Sequence, residues 1–382
     1  MSTQHPVNAP APARRGVPAS AAGPHTAGRG GSAALPGGGA ARSRAARRRV
    51  LWAIGLVVAV IVAAIGSVFV GAQALAPADV VDALLGRGGE AALFVHELRV
   101  PRALLGVVVG LALGAAGALM QALTRNPLAE PGLLGVNAGA AAAVVTGLAF
   151  GGALGLRATG IAGSYVTMAL AFVGAAAASA LVLLVGGATS KGTDPVRLTL
   201  AGAALTVVLG AYTNAMTLNQ PQLFEDFVHW SVGSLQGRGY ESLWPVASVV
   251  LPALVVACLS GRWLNALALG PEMGRALGAD PRRLAVAGGA LVVALAGAAT
   301  AGAGPIAFVG LAAPLVVRGL VGPDYRWVVP LSACVAAVVV LVADVIGRVV
   351  MPPSEVETAV VAALLGAPVF IAVVRRRRMA RL

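Results

Sequence analysis

Apolar residues in this chain fall in long continuous runs, and charged residues gather in the short stretches between them. Ten runs can be counted, near 50–75, 101–123, 134–150, 161–187, 196–217, 242–260, 283–303, 307–321, 327–350 and 359–375. A helix rises about 1.5 Å per residue, so about twenty apolar residues cross the hydrocarbon core of a bilayer. Unbroken runs of that length mark membrane helices and not the amphipathic or alternating elements of a protein folded in water. The pattern predicts an all-α polytopic membrane protein with about ten transmembrane helices. Two of the runs are short, as expected of segments that do not cross straight through.

One run leads into a break. From Ala103 to Leu123 there is no charge, and then follows Asn126-Pro127-Leu-Ala-Glu-Pro131-Gly132-Leu-Leu-Gly135. No straight helix holds that sequence, because Pro127 and Pro131 lack backbone donors and Gly132 and Gly135 loosen the chain. Freed backbone at membrane depth is tolerated only where protein or a polar cavity covers it. Such a segment belongs to transporter architecture and not to a simple anchor. A second interrupted segment, with Gly304, Pro305 and Gly310, echoes the first: Pro127–Leu133 and Pro305–Leu311 agree at five of seven positions, counting Leu with Ile. By the span count the first motif lies at the inner end of span two and the second at the outer end of span seven. Paired interruptions of opposite orientation are the trace of an inverted repeat relating the two halves, and they point to the transport pathway. Chance similarity in a Gly/Ala-rich chain is the alternative.

Hydrophobic residues make up 58% of the 382 and charged residues 11%, more apolar surface than a soluble chain of this size could bury. The runs are rich in Ala and Gly, and small residues let membrane helices approach closely. The net charge of +13 invites a nucleic-acid reading, but the arginines sit in the tails and between apolar runs. The positive-inside rule accounts for them more simply, and no nucleic-acid partner is expected. With the amino terminus inside and ten crossings, the cytoplasmic side holds Arg125, Lys191, Arg197, Arg262, Arg275, Arg282, Arg283, Arg318, Arg326 and the arginines from 375 onward. The outer side holds only Arg87, Arg99, Arg102, Arg157, Arg238 and Arg348. Both termini are therefore expected in the cytoplasm. Residues 1–49 are expected to be a disordered basic tail, 50–375 the membrane domain and 376–382 a short basic tail. Cys258 and Cys334 fall in separate runs and read as small buried hydrophobes, and no Cys or His cluster has ligand spacing, so this chain is expected to bind no metal or cofactor.

Three motifs stand in close order: Arg99-Val-Pro-Arg102, then G-x-x-L-x-x-x-G-x-x-x-Q over 110–121, then R-N-P-L-A-x-P-x-x-L-G-V-x-x-G-A over 125–140. Together they resemble the permease subunits of ABC importers for iron-siderophores, haem and vitamin B12, the FecCD-type or type II importer permeases. The resemblance extends over about residues 50–375. It implies a subunit of a bacterial cytoplasmic-membrane importer, paired with a second permease chain as a homo- or heterodimer around a central pathway. Two ATPase subunits would lie below and an extracytoplasmic substrate-binding protein above, with lipid around. ATP with Mg would sit on the partner ATPase. The chain itself carries no G-x-x-x-x-G-K-[ST] phosphate loop and is not expected to be an enzyme.

The longest polar interruption of the second half runs from Arg262 to Arg283 and reads as short surface helices broken at Gly270 and Gly278. In the resembled family this segment docks into the ATPase. Gly270, Glu272, Arg275, Leu277 and Gly278 match its pattern, while Pro271 replaces a Glu and Gly274 an Ala. The family's positions for Arg99 and Arg348 face carboxylates of the binding protein. Without the resemblance they read as interface arginines that snorkel to head groups. Asp344 precedes Arg348 by four residues, so the two share a helix face and are expected to pair. After Glu355, Glu357 and Ala359 replace the family's Pro and Gly. The rival reading is a secondary transporter driven by protons or sodium, which would need unpaired intramembrane charges that are scarce here. An intramembrane enzyme would need a nucleophile and a base facing one cavity, which the sequence does not offer.

Overall fold

Each apolar run becomes a helix, because backbone groups that water cannot reach are satisfied within the segment itself. A computed structural model describes residues 38–71, 73, 75–87, 89–151, 160–186, 195–218, 220–270, 280–352 and 354–379, and every regular element among them is helical. The chain divides into Met1–Ser43, of which only the opening of the first helix is described, and the unit Arg44–Leu382. Most of the expected amino-terminal tail, residues 1–37, lies outside the described residues. The first helix, α1 (Gly38–Phe69), starts ahead of the expected boundary at 50.

Next come α2 (Pro77–Leu84), α3 (Glu90–Leu93) and, after a π-helical turn at Phe94–Arg99, α4 (Val100–Thr124). A 3-10 turn at Pro131–Leu134 precedes α5 (Val136–Phe150), α6 (Gly160–Val185), α7 (Pro195–Leu218) and α8 (Pro221–Ser231). Helices α9 (Tyr240–Leu259) and α10 (Gly261–Ala268) follow. The last group is α11 (Pro281–Val292), a π-helical turn at Val293–Gly297, α12 (Ala298–Ala303), α13 (Val309–Val321), α14 (Tyr325–Val350) and α15 (Thr358–Met379).

Among the described residues, seven stretches are long and apolar enough to cross a bilayer: Ala46–Phe69, Ala91–Thr124, Ala162–Val185, Val196–Leu218, Tyr240–Leu259, Arg282–Ala303 and Tyr325–Val350. Three shorter apolar helices occupy Val136–Phe150, Val309–Val321 and Thr358–Ala372. All ten stretches overlap the predicted runs, but Ala91–Thr124 begins ten residues before 101, and three of the ten, not two, are short. The first run differs at its end, since α1 stops at Phe69 and not near 75. Two elements have no apolar run to announce them. Helix α2 buries only Val80 and Ala83, and α8 carries Glu225 and Asp226. Both are too short and too polar on one face to register as spans.

Burial sorts the helices. Of the most apolar window of Ala91–Thr124, 83% is buried inside the protein, against 6% for Ala46–Phe69. The second span is therefore the centre and the first lies at the periphery, its apolar side chains left for lipid. Helix α4 packs along α14 because its facing side is glycine. A Cβ at Gly114 would overlap the Ser332 carbonyl, and one at Gly117 the Gly310 carbonyl. Where lipid tails are as apolar as the side chains, such close backbone approach is what drives helix association.

Candidate functional site

The two interrupted motifs meet. Helix α4 is capped by Arg125 in the left-handed region (φ 51°), and the chain then turns through Pro131–Leu134 to start α5 at Gly135. On the other side, Gly304 (φ 75°) ends α12, and Phe308, also left-handed at φ 67°, opens α13. A left-handed backbone is easy for glycine but strained for phenylalanine, so Phe308 needs neighbours that hold it. Glu130 supplies one: its Oε1 accepts the Phe308 backbone N–H at 2.9 Å. A carboxylate at a helix start also answers the positive end of the helix dipole. Gln121 Nε2 donates to the Leu311 carbonyl at 3.2 Å, and Thr300 Oγ1 donates to Asn137 Oδ1 at 3.1 Å. The Pro131 ring lies against Gly310, and the Pro305 carbonyl against Gly233.

Each motif follows the end of its span, α4 at Thr124 and α12 at Ala303, and the segments after those ends are brought into contact. Gly117, which touches Gly310, lies seven residues before the end of α4, about 10 Å along its axis. Both motifs introduce short helices, α5 and α13, whose starts fall part-way along the longer ones, and the two breaks converge there. Pro131 and Gly310 touch at this junction, Gly304 and the Pro305 carbonyl lie against Trp230 and Gly233, Gly135 faces Val182 and Leu205, and Gly132 approaches Asn137. Asn126 and Pro127 stand apart, on the turn where Asn126 Oδ1 accepts the Leu128 N–H at 2.9 Å.

A charge cluster joins four elements at the start of α4. Arg102 Nη2 bonds Asp344 Oδ1 at 2.8 Å and Glu355 Oε2 at 2.7 Å. Asp344 also accepts from Thr358 Oγ1 at 3.0 Å and pairs with Arg348, the helical neighbour the spacing foretold. Arg348 Nη1 donates to the carbonyls of Ser67 (2.8 Å) and Val70 (2.7 Å), and Arg99 bonds those of Val68, Phe69 and Gln73. The expected docking arginines are thus deeply buried, at 7% exposure for Arg99 and 2% for Arg348, with their guanidinium groups turned onto the end of α1. They satisfy the last carbonyls of that helix. Arg102, read from sequence as an interface arginine with a structural role as the alternative, is bonded inside the protein, and Glu355 had no role assigned from sequence.

A second network lies at the opposite end of α14. Asp324 caps that helix, accepting from the Arg326 N–H at 3.1 Å and from Arg326 Nη2 at 2.7 Å. Asn265 of α10 donates to Asp324 Oδ1 at 2.8 Å and accepts from the Tyr325 N–H at 2.9 Å. Arg326 above all, with Asn265, holds the Asp324 carboxyl well below the usual carboxylate range. Its folded value is depressed, so its contribution is complete above the unfolded value and is lost only in strong acid, as pH falls through the folded one. Of the expected coupling residues only Gly270 is described, with φ 102°, while Glu272, Arg275, Leu277 and Gly278 lie outside the described residues.

A polar recess of about 690 Å³ opens among α5, α6 and α8, with Asp226, Trp230, Arg238 and Glu357 on its wall. Glu357 is one of the two departures from the resembled pattern, and here it adds a carboxylate to a cavity. Cys258 and Cys334 are free and half-buried. Among the described residues no three His, Cys, Asp or Glu side chains gather as metal ligands.

The chain is 43% identical over 324 residues to the ferric enterobactin transport system permease protein FepD of Escherichia coli (strain K12), covering 85% of this chain and 94% of that one. It is 39% identical to the siderophore transport system permease protein YfiZ of Bacillus subtilis (strain 168), over 74% and 83% of the two chains. Its fold resembles that of a metal-chelate type ABC transporter solved in an inward-facing conformation, with a TM-score of 0.73 over 86% of this chain and 99% of the other, at 24% identity. The FecCD transport family matches residues 56–376, from within α1 to within α15, and the chain belongs to that family.

Proposed function

We propose that this chain is the membrane permease subunit of a bacterial ABC importer that carries a ferric chelate of the siderophore class, with haem and cobalamin-type chelates as the neighbouring possibilities. The observation that carries the reading is the likeness to the ferric enterobactin permease along 85% of the chain. Ten crossings, seven by long helices and three by the shorter apolar ones, would put both termini in the cytoplasm of the inner-membrane protein. The two convergent breaks would then be the halves of an inverted repeat flanking the pathway. Partner ATPases supply the energy with ATP and Mg, and a second permease chain completes the channel. Closure of the ATPases pushes the 262–283 segment and reorients the junction between the halves. A binding protein would dock on the outer side through Arg99 and Arg348, which line one recess together with Arg102 and Glu355.

The test is uptake of a radiolabelled ferric siderophore into proteoliposomes holding this chain, its ATPase and its binding protein. Uptake should require ATP and binding protein and ignore an imposed proton or sodium gradient. Gradient-driven uptake without ATP would establish the secondary-transporter reading instead. Reversing both charges, Glu272→Arg with Arg275→Glu, should leave insertion and hydrolysis intact and lower transport per ATP. Parental coupling in that variant would reduce the segment to a loop. Single cysteines at position 2 (Ser2→Cys) and 380 (Ala380→Cys) should resist impermeant thiol reagents in intact cells, and labelling of either from outside would refute the topology.

A further inference from the structure

The end of α14 that Asn265 touches is a point of convergence. Asp324 and Tyr325 are the cap and first residue of α14, and Asn265 engages both through one side-chain amide, as donor at 2.8 Å and acceptor at 2.9 Å. From α13, Arg318 Nη2 donates to the Tyr325 hydroxyl at 2.6 Å, with its guanidinium 5.1 Å from the ring centroid. From α1, Arg49 Nε donates to the Val321 carbonyl at 3.2 Å, and Arg49 Nη1 stands 3.9 Å from Asp324. Helix α10 therefore grips the place where α13 ends and α14 begins. Helix α13 starts at the broken junction beside Glu130, and α14 runs along α4 to the Asp344–Arg348 cluster. Helix α10 is the opening part of the 262–283 segment proposed to meet the ATPase.

We infer that Asn265 is a positioning residue that ties the ATPase-contacting segment to the start of α14, so that a push on the segment moves α13 and α14 together. The inference rests on the coupling role proposed for 262–283. An amide suits the task because it offers a donor to a carboxylate and an acceptor to a backbone N–H at once. Alanine offers neither. Aspartate would still accept from Tyr325 but would set its charge against Asp324. Exchanging the pair, Asn265→Asp with Asp324→Asn, reverses the donor and acceptor between the side chains and keeps the Tyr325 contact. It gives up the charge of the ion pair to Arg326, a side chain that is itself 55% exposed, so recovery should be large but incomplete.

The experiment uses the complete transporter, reconstituted with its ATPase subunits and binding protein, and reads ferric-siderophore uptake per ATP hydrolysed together with co-purification of the ATPase. For Asn265→Ala the ATPase should co-purify and hydrolyse as in the parent while uptake per ATP falls at least about tenfold, since both the hydrogen bond to the Asp324 carboxylate and the one from the Tyr325 N–H are lost. Asn265→Asp should lose at least as much, and the exchanged pair should recover most of it. A merely structural role would lower hydrolysis and uptake together and leave their ratio unchanged. Parental uptake per ATP in Asn265→Ala, or an exchanged pair no better than Asn265→Asp, overturns the inference. If Asn265→Ala fails to accumulate, the comparison of Asn265→Asp with the exchanged pair decides alone. The two readings fail separately. Coupled Glu272 and Arg275 reversals remove the coupling role itself, whereas uncoupled reversals beside a parental Asn265→Ala remove only the tie.

Discussion

Asp344→Ala should be among the most destabilising single substitutions in this chain, lowering stability by about 3–5 kcal/mol, the usual result of removing one partner of a buried ion pair. Asp344 is 1% exposed and accepts from Arg102, Arg348 and Thr358, so its loss strands two buried guanidinium groups and a hydroxyl. Glu355 keeps one hold on Arg102, while Arg348 keeps only the carbonyls and the hydroxyl at the end of α1. Helices α1, α4, α14 and α15 would lose their common tie. Asp344→Asn preserves an acceptor for Arg102 and Thr358 and should fall well short of the alanine effect. Thermal unfolding in detergent, monitored by loss of monodisperse protein, checks both. Equal midpoints for the parent and Asp344→Ala would mean that the cluster contributes nothing net.

Gly117→Ala should destabilise by about 1–3 kcal/mol, the ordinary range for overpacking, although it adds a single methyl group. That methyl has no room, because it would overlap the backbone carbonyl of Gly310, and backbone cannot rotate away as a side chain can. To admit it, α4 and α13 must separate where Glu130 and Gln121 bridge to Phe308 and Leu311. Transport should therefore fall as well, since the displaced contact is the junction of the two breaks. The same substitution at Gly55 on the outward face of α1 meets nothing within 4 Å. There alanine should be neutral or stabilising by up to about 1 kcal/mol through helix propensity. Opposite signs at the two sites are the expected outcome of paired unfolding measurements. A neutral Gly117→Ala would show that α4 and α13 are not held at this distance.

The two predictions depend on the same feature, a bundle whose interior is mostly alanine, valine and glycine with a few polar groups placed where helices begin and end. Small residues bring the backbones close, and the polar groups then bond to carbonyls and N–H groups that helix ends leave unpaired. Arg348 and Arg99 close the end of α1, Asp324 and Asn265 the start of α14, and Glu130 the start of α13.

Helix positions were legible in the sequence because a bilayer imposes a length of apolar chain, and length is a property of one segment taken alone. The broken segments were legible for a similar reason, since Pro127, Pro131, Gly304 and Pro305 disturb the backbone wherever they occur. The Asp344–Arg348 pair could be read off too, because i and i+4 meet on any helix. Three other contacts could not be read. Arg102 finds Asp344 and Glu355 across 242 and 253 residues, Asn265 finds Asp324 and Tyr325 across 59 and 60, and Glu130 finds Phe308 across 178. Each depends on which faces of which helices touch, and a surface of alanine and glycine looks alike on every side of a membrane helix. The inward turn of Arg99 and Arg348 was hidden for a further reason. Only the folded chain brings the unpaired carbonyls of α1 beside them, and a guanidinium out of water goes to the acceptors within its reach.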